Sequence, residues 1–348
     1  MSQGAGVSLI QWLWEGRTFG ARIGTLALLP FAILYKGISM VRAVLYQSSL
    51  LGTTSLPLRS VAVGNLTVGG SGKTPVAAWI AQWLIRHGTK PAILLRGYGD
   101  DEPLVHARLV PEAVVKANPD RAVGAAAAVA DGATVLVLDD AYQTLRIARD
   151  INLALIAVEH LDYSPFPLPA GPWREGWGAL SRADGIIVTR KRESPERAAA
   201  LADRLSKACP RTPVAVAHLA LTGFEGLKTG QAMAEDALQG RRLLVAAGVA
   251  DPQAFAAQLQ ERSGKAVQLV TYQDHHAYTD ADVAALLNAA TTADYVVVTE
   301  KDAVKLRPRW PADAREPLVA TLGVQWERGL EAIEALLSTL VKPSTSVI

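Results

Sequence analysis

The sequence predicts a doubly wound α/β protein of the P-loop NTPase type. Its sheet is expected to be mostly parallel, with a smaller C-terminal α/β domain and an N-terminal membrane-associated helical segment. Three observations carry that prediction. From residue 58 onward, short runs that are apolar throughout alternate with helical patterns, as buried parallel strands and their crossovers do. One such run, Val61-Ala62-Val63, opens into a Gly-rich loop that ends Gly69-Gly70-Ser71-Gly72-Lys73-Thr74 and leads into a helical pattern. Another, Val135-Leu136-Val137-Leu138, ends on Asp139-Asp140.

The Gly-rich loop is the element around which the rest is organised. Glycines let backbone N–H groups converge on phosphate oxygens, and the following helix N-terminus adds partial positive charge. Lys73 is placed to reach the β- and γ-phosphates of a nucleotide, and Thr74 to hold Mg²⁺. The usual spacing puts a further glycine where this chain has Thr67. The competing reading is a Gly-rich turn that binds nothing; strand before and helix after argue against it. Asp139 and Asp140 then read as the acidic end of a neighbouring strand. There a carboxylate emerges at the sheet's carboxyl edge and can hold Mg²⁺.

The remaining elements follow in order. Residues 1–50 form an apolar, amphipathic segment. Between Arg22 and Lys36 lie 13 uncharged residues, about 20 Å of helix against a hydrocarbon core of about 30 Å, with Pro30 inside. Arg17, Arg22, Lys36 and Arg42 flank it, and Trp12, Trp14, Phe19, Phe31, Tyr35 and Tyr46 supply aromatic anchors. That pattern predicts helices lying in a membrane interface; a buried N-terminal helix is the alternative. Strands are expected at residues 60–63, 92–95, 135–138, 153–158 and 186–188. Helices are expected at 76–87 and 111–117. These place the phosphate-binding core at 51–204. Residues 191–209 read as a charged helical connection. Strands at 214–217, 243–247, 267–271 and 295–298 build a smaller domain over 205–341, and 342–348 is a frayed tail.

Composition bounds the function. With 348 residues, 50% hydrophobic and 20% charged, the chain is globular with room for about two domains. A net charge of +2 gives no sign of a nucleic-acid partner. A single cysteine, Cys209, excludes an internal disulfide and argues against a cysteine metal site. Outside the phosphate loop, Asp100-Asp101-Glu102-Pro103 reads as an acidic turn after the second strand. Asp274-His275-His276 follows a C-terminal strand, where a histidine near a carboxylate could tune a general base. Thr299-Glu300-Lys301-Asp302 closes another strand. A Pro/Gly loop carries Arg174 and Glu175.

With these pieces in place the chain resembles the tetraacyldisaccharide 4′-kinase family, the lipid A 4′-kinases, from end to end. The resemblance is carried by Leu28 to Tyr35, by V-G-N-L-T-V-G-G-S-G-K-T-P (Val63 to Pro75), by R-G-Y-G (Arg96 to Gly99) and by D-E-P (Asp101 to Pro103). Further on it is carried by Asp139 to Gln143, Ala148 to Asp150, L-P-A-G-P-W-R-E (Leu168 to Glu175), Arg182 to Thr189, Asp274-His275 and T-E-K-D-A-V-K (Thr299 to Lys305). On that resemblance Thr67 is a family trait.

The resemblance implies transfer of the γ-phosphoryl group of ATP, with Mg²⁺, to the 4′-hydroxyl of tetraacyldisaccharide 1-phosphate, giving lipid IVA at the cytoplasmic face of the inner membrane. It implies no obligate protein partner. It implies that Asp101 is the base, with His275 paired to it as orienter from the other domain. Gly69, Gly70, Ser71, Gly72, Lys73 and Thr74 would hold phosphates, and Thr74, Asp139 and Asp140 the metal. Arg121 and Gln143 would contact nucleotide, and Tyr98, Glu102, Arg174 and Glu175 the sugar. Two departures stand out. Gly99 meets Asp100-Asp101 directly where the family has a longer connection, and Ala141 and Thr144 replace a glycine and a histidine of the family pattern.

Two other readings compete. A P-loop ATPase or GTPase switch of the deviant Walker A type would act through a protein partner, but Val68 stands where such switches carry a lysine. A small-metabolite kinase leaves the apolar N-terminus unexplained.

Overall fold

The structure, a computed structural model, describes residues 12–14, 16, 18–97 and 101–341. The chain forms two compact units. Among the described residues, the larger comprises 12–14, 16, 18–97, 106–218 and 325–341; the smaller comprises 101–105 and 219–324. The division therefore falls at 218/219 rather than at the expected 205. Residues 325–341, expected in the smaller domain, return to the larger unit. The tail 342–348 lies outside the described residues.

In the larger unit a parallel sheet runs in the order β6-β5-β1-β4-β2-β3. Its strands are β1 (Ser60–Asn65), β2 (Pro91–Leu95), β3 (Val114–Ala117), β4 (Val135–Leu138), β5 (Ile151–Ala157) and β6 (Gly185–Arg190). Every residue of β1, β2, β4, β5 and β6 is buried. That explains why they read as unbroken apolar runs rather than as alternation. One layer of side chains gathers Ala62, Leu94, Ala125, Ala128 and Leu136. Another gathers Leu66, Tyr142, Ile156, Trp173, Ile186 and Leu201. The order puts β1 between β4 and β5, so the phosphate loop after β1 and the acidic turn after β4 open side by side.

Two local expectations are corrected. Residues 111–117 are not helical, because Val114–Ala117 is edge strand β3, paired in parallel with β2. A short β-branched run that fills a sheet edge prevails over a helical pattern only seven residues long, and Pro111 sits just past the preceding helix. Residues 101–103 are not a loop turn but the first turn of the next helix, α3 (Asp101–Leu109). Carboxylates in a helix's first turn face its positive end, so an acidic run beside a proline suits a helix start as well as a turn.

Helix α1 (Phe19–Gln47) belongs to the larger unit. At 29 residues it is far longer than the uncharged run within it. It is long and apolar enough to cross a membrane. It continues through Lys36 and Arg42, whose long stems can lie along apolar surroundings. Within it only Ala21, Thr25 and Ala32 are buried, while Phe19, Ile23, Leu26, Phe31, Leu34, Ile38 and Val41 are exposed.

In the smaller unit four parallel strands run β10-β9-β11-β12: β9 (Leu243–Ala247), β10 (Gln268–Thr271), β11 (Tyr295–Thr299) and β12 (Leu318–Arg328). The later residues of β7 (Val214–Gly226) pair antiparallel with β8 (Ala232–Met233). Apolar clusters form on Leu244, Val298 and Trp310 and on Val245, Phe255 and Leu318.

Candidate active site

The phosphate loop is built in the larger unit between β1 and α2 (Lys73–Arg86). Gly72 is the N-cap of α2 with φ +85, and no side chain caps the helix. The first amides of α2 are therefore left for an external acceptor, which is the physical basis of an anion site. Ser71 is fully buried; its Oγ accepts from Asn65 Nδ2 at 2.7 Å, and its carbonyl accepts from Thr189 Oγ1 at 2.9 Å. Lys73 Nζ lies 3.4 Å from Asn65 Oδ1 and 3.8 Å from Asp140 Oδ1.

Thr67, the departure from the usual glycine, has a defined place. Its φ is not among the positive ones, so no glycine is required there. Its buried hydroxyl pairs with His160 Nδ1 at 2.7 Å. The Pro/Gly loop braces the same segment: Val68 N donates to Pro172 O at 2.7 Å, and Arg174 N to Leu66 O at 2.8 Å.

Beside the loop, Asp139 is 4% exposed and closes β4. Its Oδ2 accepts from Nε2 of the fully buried His106 at 2.8 Å, and its main-chain carbonyl accepts from Arg121 Nη2 at 2.7 Å. Burial alone would push the Asp139 carboxyl up. The His106 hydrogen bond and charge, with the Lys73 ammonium, outweigh burial and hold it below the usual carboxylate range. Its Oδ1 is buried without a hydrogen-bond partner, an orphaned acceptor of the kind that suits a hard cation. Asp140 takes φ +48 and turns towards cations: Arg174 Nη1 lies 2.9 Å from its Oδ1. Gln143 donates to Asn65 O at 2.8 Å. Glu175 pairs with Arg182. Among the described residues no group of three or more His, Cys, Asp or Glu side chains forms a ready-made metal cage. A cation here would thus draw ligands from nucleotide and solvent besides the protein, as Mg²⁺ does in nucleotide sites.

A second constellation lies within the smaller unit. His275 Nδ1 sits 3.1 and 3.0 Å from the two carboxylate oxygens of Asp101, and Lys305 Nζ lies 3.1 Å from Asp101 Oδ2. Burial would raise the Asp101 carboxyl; Lys305, His275 and Lys301 together bring it below its ordinary value. The pair expected to join two domains therefore forms inside one compact unit. The backbone of His275 has φ +62. Its loop is fixed by stacking of Tyr272 on His276 and by Asp302, which accepts from Tyr278 Oη at 2.9 Å and from Gly248 N at 3.1 Å. Tyr98 lies outside the described residues.

Sequence reasoning missed His106 and His160, which carry no motif of their own, and gave no role to Asn65, although it stands within Val63 to Pro75. Lys305 stood in T-E-K-D-A-V-K, where its spacing to Asp101 could not be read.

A parallel sheet with a Gly-Lys-Thr loop at a helix N-terminus, flanked by a strand-end aspartate with an open oxygen, defines a P-loop phosphotransferase. The family model of tetraacyldisaccharide-1-P 4′-kinases (LpxK) matches residues 24–101 and 100–342. The two segments meet where Arg-Gly-Tyr-Gly runs straight into Asp-Asp-Glu-Pro. A tetraacyldisaccharide 4′-kinase of Pelobacter propionicus is 37% identical over 306 residues, 80% of this chain and 82% of that one. That of Anaeromyxobacter dehalogenans is 34% identical over 361 residues, 96% and 95%. Among solved structures, the "apo" form of LpxK from Aquifex aeolicus in complex with ATP aligns with a TM-score of 0.72 at 25% identity, covering 91% of this chain and 99% of that one. The chain belongs to the tetraacyldisaccharide-1-P 4′-kinase family.

Proposed function

We propose that the protein transfers the γ-phosphoryl group of ATP to the 4′-hydroxyl of a tetraacyldisaccharide 1-phosphate. Family membership and the phosphate loop at the uncapped N-terminus of α2 support this reading. The loop amides and Lys73 bind the nucleotide phosphates and neutralise charge on the group in transfer. Mg²⁺ would be held by Asp139 Oδ1 and the Thr74 hydroxyl, with Asp140 beside them. Bound there, it would neutralise charge on the β- and γ-oxygens. His106 keeps Asp139 oriented, and Arg174 keeps Asp140 turned towards Lys73. The Asp101–His275 pair takes up the proton of the acceptor hydroxyl.

The exposed apolar surface of α1 supports membrane association, and we place the enzyme at the cytoplasmic face of the inner membrane, where ATP is available. The test is ³²P transfer from labelled ATP to purified tetraacyldisaccharide 1-phosphate in detergent micelles. A labelled lipid product is expected. Hydrolysis of ATP without a lipid product would support the switch reading instead.

A further inference from the structure

We propose that His160 is a positioning residue for the nucleotide phosphates: it holds the first half of the phosphate loop, Thr67 to Gly69, in the shape that receives them. The proposal rests on the reading of that loop as the ATP site. Sheet topology brings the two together. Strand β5 lies beside β1 in parallel register, so both strands deliver their carboxyl ends to one sheet edge. The loop after β1 therefore meets the 3₁₀ turn Val158–Asp162 that follows β5. His160, on that turn, is 8% exposed. Its Nδ1 lies 2.7 Å from Thr67 Oγ1. The rest of the ring packs beside Gly69: a Cβ added there would stand 3.2 Å from His160 Nε2 and 3.3 Å from its Cε1. One imidazole thus hydrogen-bonds one end of a three-residue stretch and fills the space beside the other.

The ring is itself held. Tyr163 stacks on it with centroids 5.5 Å apart. The Glu159 carboxylate ties the turn to the end of β6 by accepting from Lys191 N and from Arg192 N, the latter at 3.0 Å. The second half of the loop has its own supports, the Asn65 amide on Ser71 Oγ and the Thr189 hydroxyl on the Ser71 carbonyl. For the first half, Pro172 O supplies a main-chain contact to Val68 N, and His160 supplies a side-chain one. Gly69, at φ +114, and Gly70 give this stretch freedom to leave a phosphate-binding shape. A loop whose amides are already in place loses less entropy when the anion arrives. A glycine at 67 would offer His160 no partner, so the Thr67 hydroxyl and the imidazole act as one unit.

The test titrates ATP with Mg²⁺ into the full-length enzyme by calorimetry. Steady-state ³²P transfer with each substrate varied, and thermal melting, are measured alongside. His160→Ala is expected to weaken ATP binding about tenfold, the size of one lost buried hydrogen bond. KM for ATP should rise by a similar factor while KM for the lipid stays unchanged. Thr67→Val removes only the hydroxyl and should weaken ATP binding to the same degree. The double variant should be no worse than either single one, as two residues acting through one contact require. His160→Asn keeps a polar group near the Nδ1 position and should recover most of the affinity; His160→Leu, of similar bulk without that group, should not. Should His160→Ala fail to fold, Thr67→Val and His160→Asn carry the same comparison. A folded His160→Ala enzyme with wild-type ATP affinity overturns the proposal, and so does a double variant whose loss is the product of the two single losses. A lower melting temperature with equal rises in both KM values would make His160 structural only and overturn it as well. A wild type that binds ATP but transfers nothing to the lipid would instead overturn the kinase reading, leaving the ATP titrations to decide on His160.

Discussion

On the proposed function, Lys73 is the residue on which the phosphate chemistry depends most directly. It begins α2 beside an uncapped helix end, with Asn65 and Asp140 as its near neighbours. Lys73→Ala is expected to cost at least about a hundredfold in kcat, as losing one key electrostatic donor does; the phosphotransfer assay checks it. His106 has a different part, holding a buried carboxylate from behind. His106→Ala removes the partner of a buried anion and leaves a void, so a loss of about 2–4 kcal/mol in stability is expected, read by urea unfolding. If the pair also orients Asp139 for Mg²⁺, direct Mn²⁺ binding followed by electron paramagnetic resonance should weaken in the same variant. Thr67 was legible as a departure from the usual glycine spacing and, on the resemblance, as a family trait, but its partner was not. Its bond to His160, distant in the chain, explains why a hydroxyl there does no harm.

At the scale of elements, the strand–loop–helix unit works because β1 is packed on both faces and can take no slack. Near its end Gly64 lies so close to the turn after the neighbouring strand β4 that an added Cβ would stand 2.6 Å from Tyr142 Cβ and 2.7 Å from Tyr142 N. The backbone contact leaves little room for relaxation. Gly64→Ala is therefore expected to destabilise by about 1–3 kcal/mol through overpacking and to lower nucleotide affinity, both measurable by thermal melting with and without ATP. Strands β1, β2, β4 and β9 were legible because each is a bounded apolar run. Strand β3 was not, since three half-buried residues and an exposed one at a sheet edge carry too little pattern to separate strand from helix. The length of α1 was also hidden. Lys36 interrupts the apolar run but not the helix, because a helix is ended by backbone chemistry, not by one charge.

For the whole molecule, the exposed side chains of α1 present an apolar surface that a folded globular unit normally covers. Helix α1 spans about 43 Å at 1.5 Å per residue, more than the roughly 30 Å of a hydrocarbon core. Removing residues 1–47 is expected to abolish flotation with anionic lipid vesicles and to weaken activity on micellar lipid more than ATP binding. A truncated enzyme that still floats would place the membrane contact elsewhere. Replacing Leu26, Leu34 and Ile38 together by glutamate should act in the same direction without shortening the chain.

The sequence by itself determined the fold class, the phosphate loop, the acidic strand end and the family. All of these are written in contiguous residues, where local spacing and apolar runs suffice. Only the tertiary structure decided which distant side chains meet. It brought His106 to Asp139, His160 to Thr67 and Lys305 to Asp101. It also put Asp101 in the same compact unit as His275. A buried ion pair or hydrogen bond is selected by the cost of leaving its members alone in a low-dielectric interior. That cost depends on which elements pack together, and so it leaves no periodicity in the chain for the sequence to show.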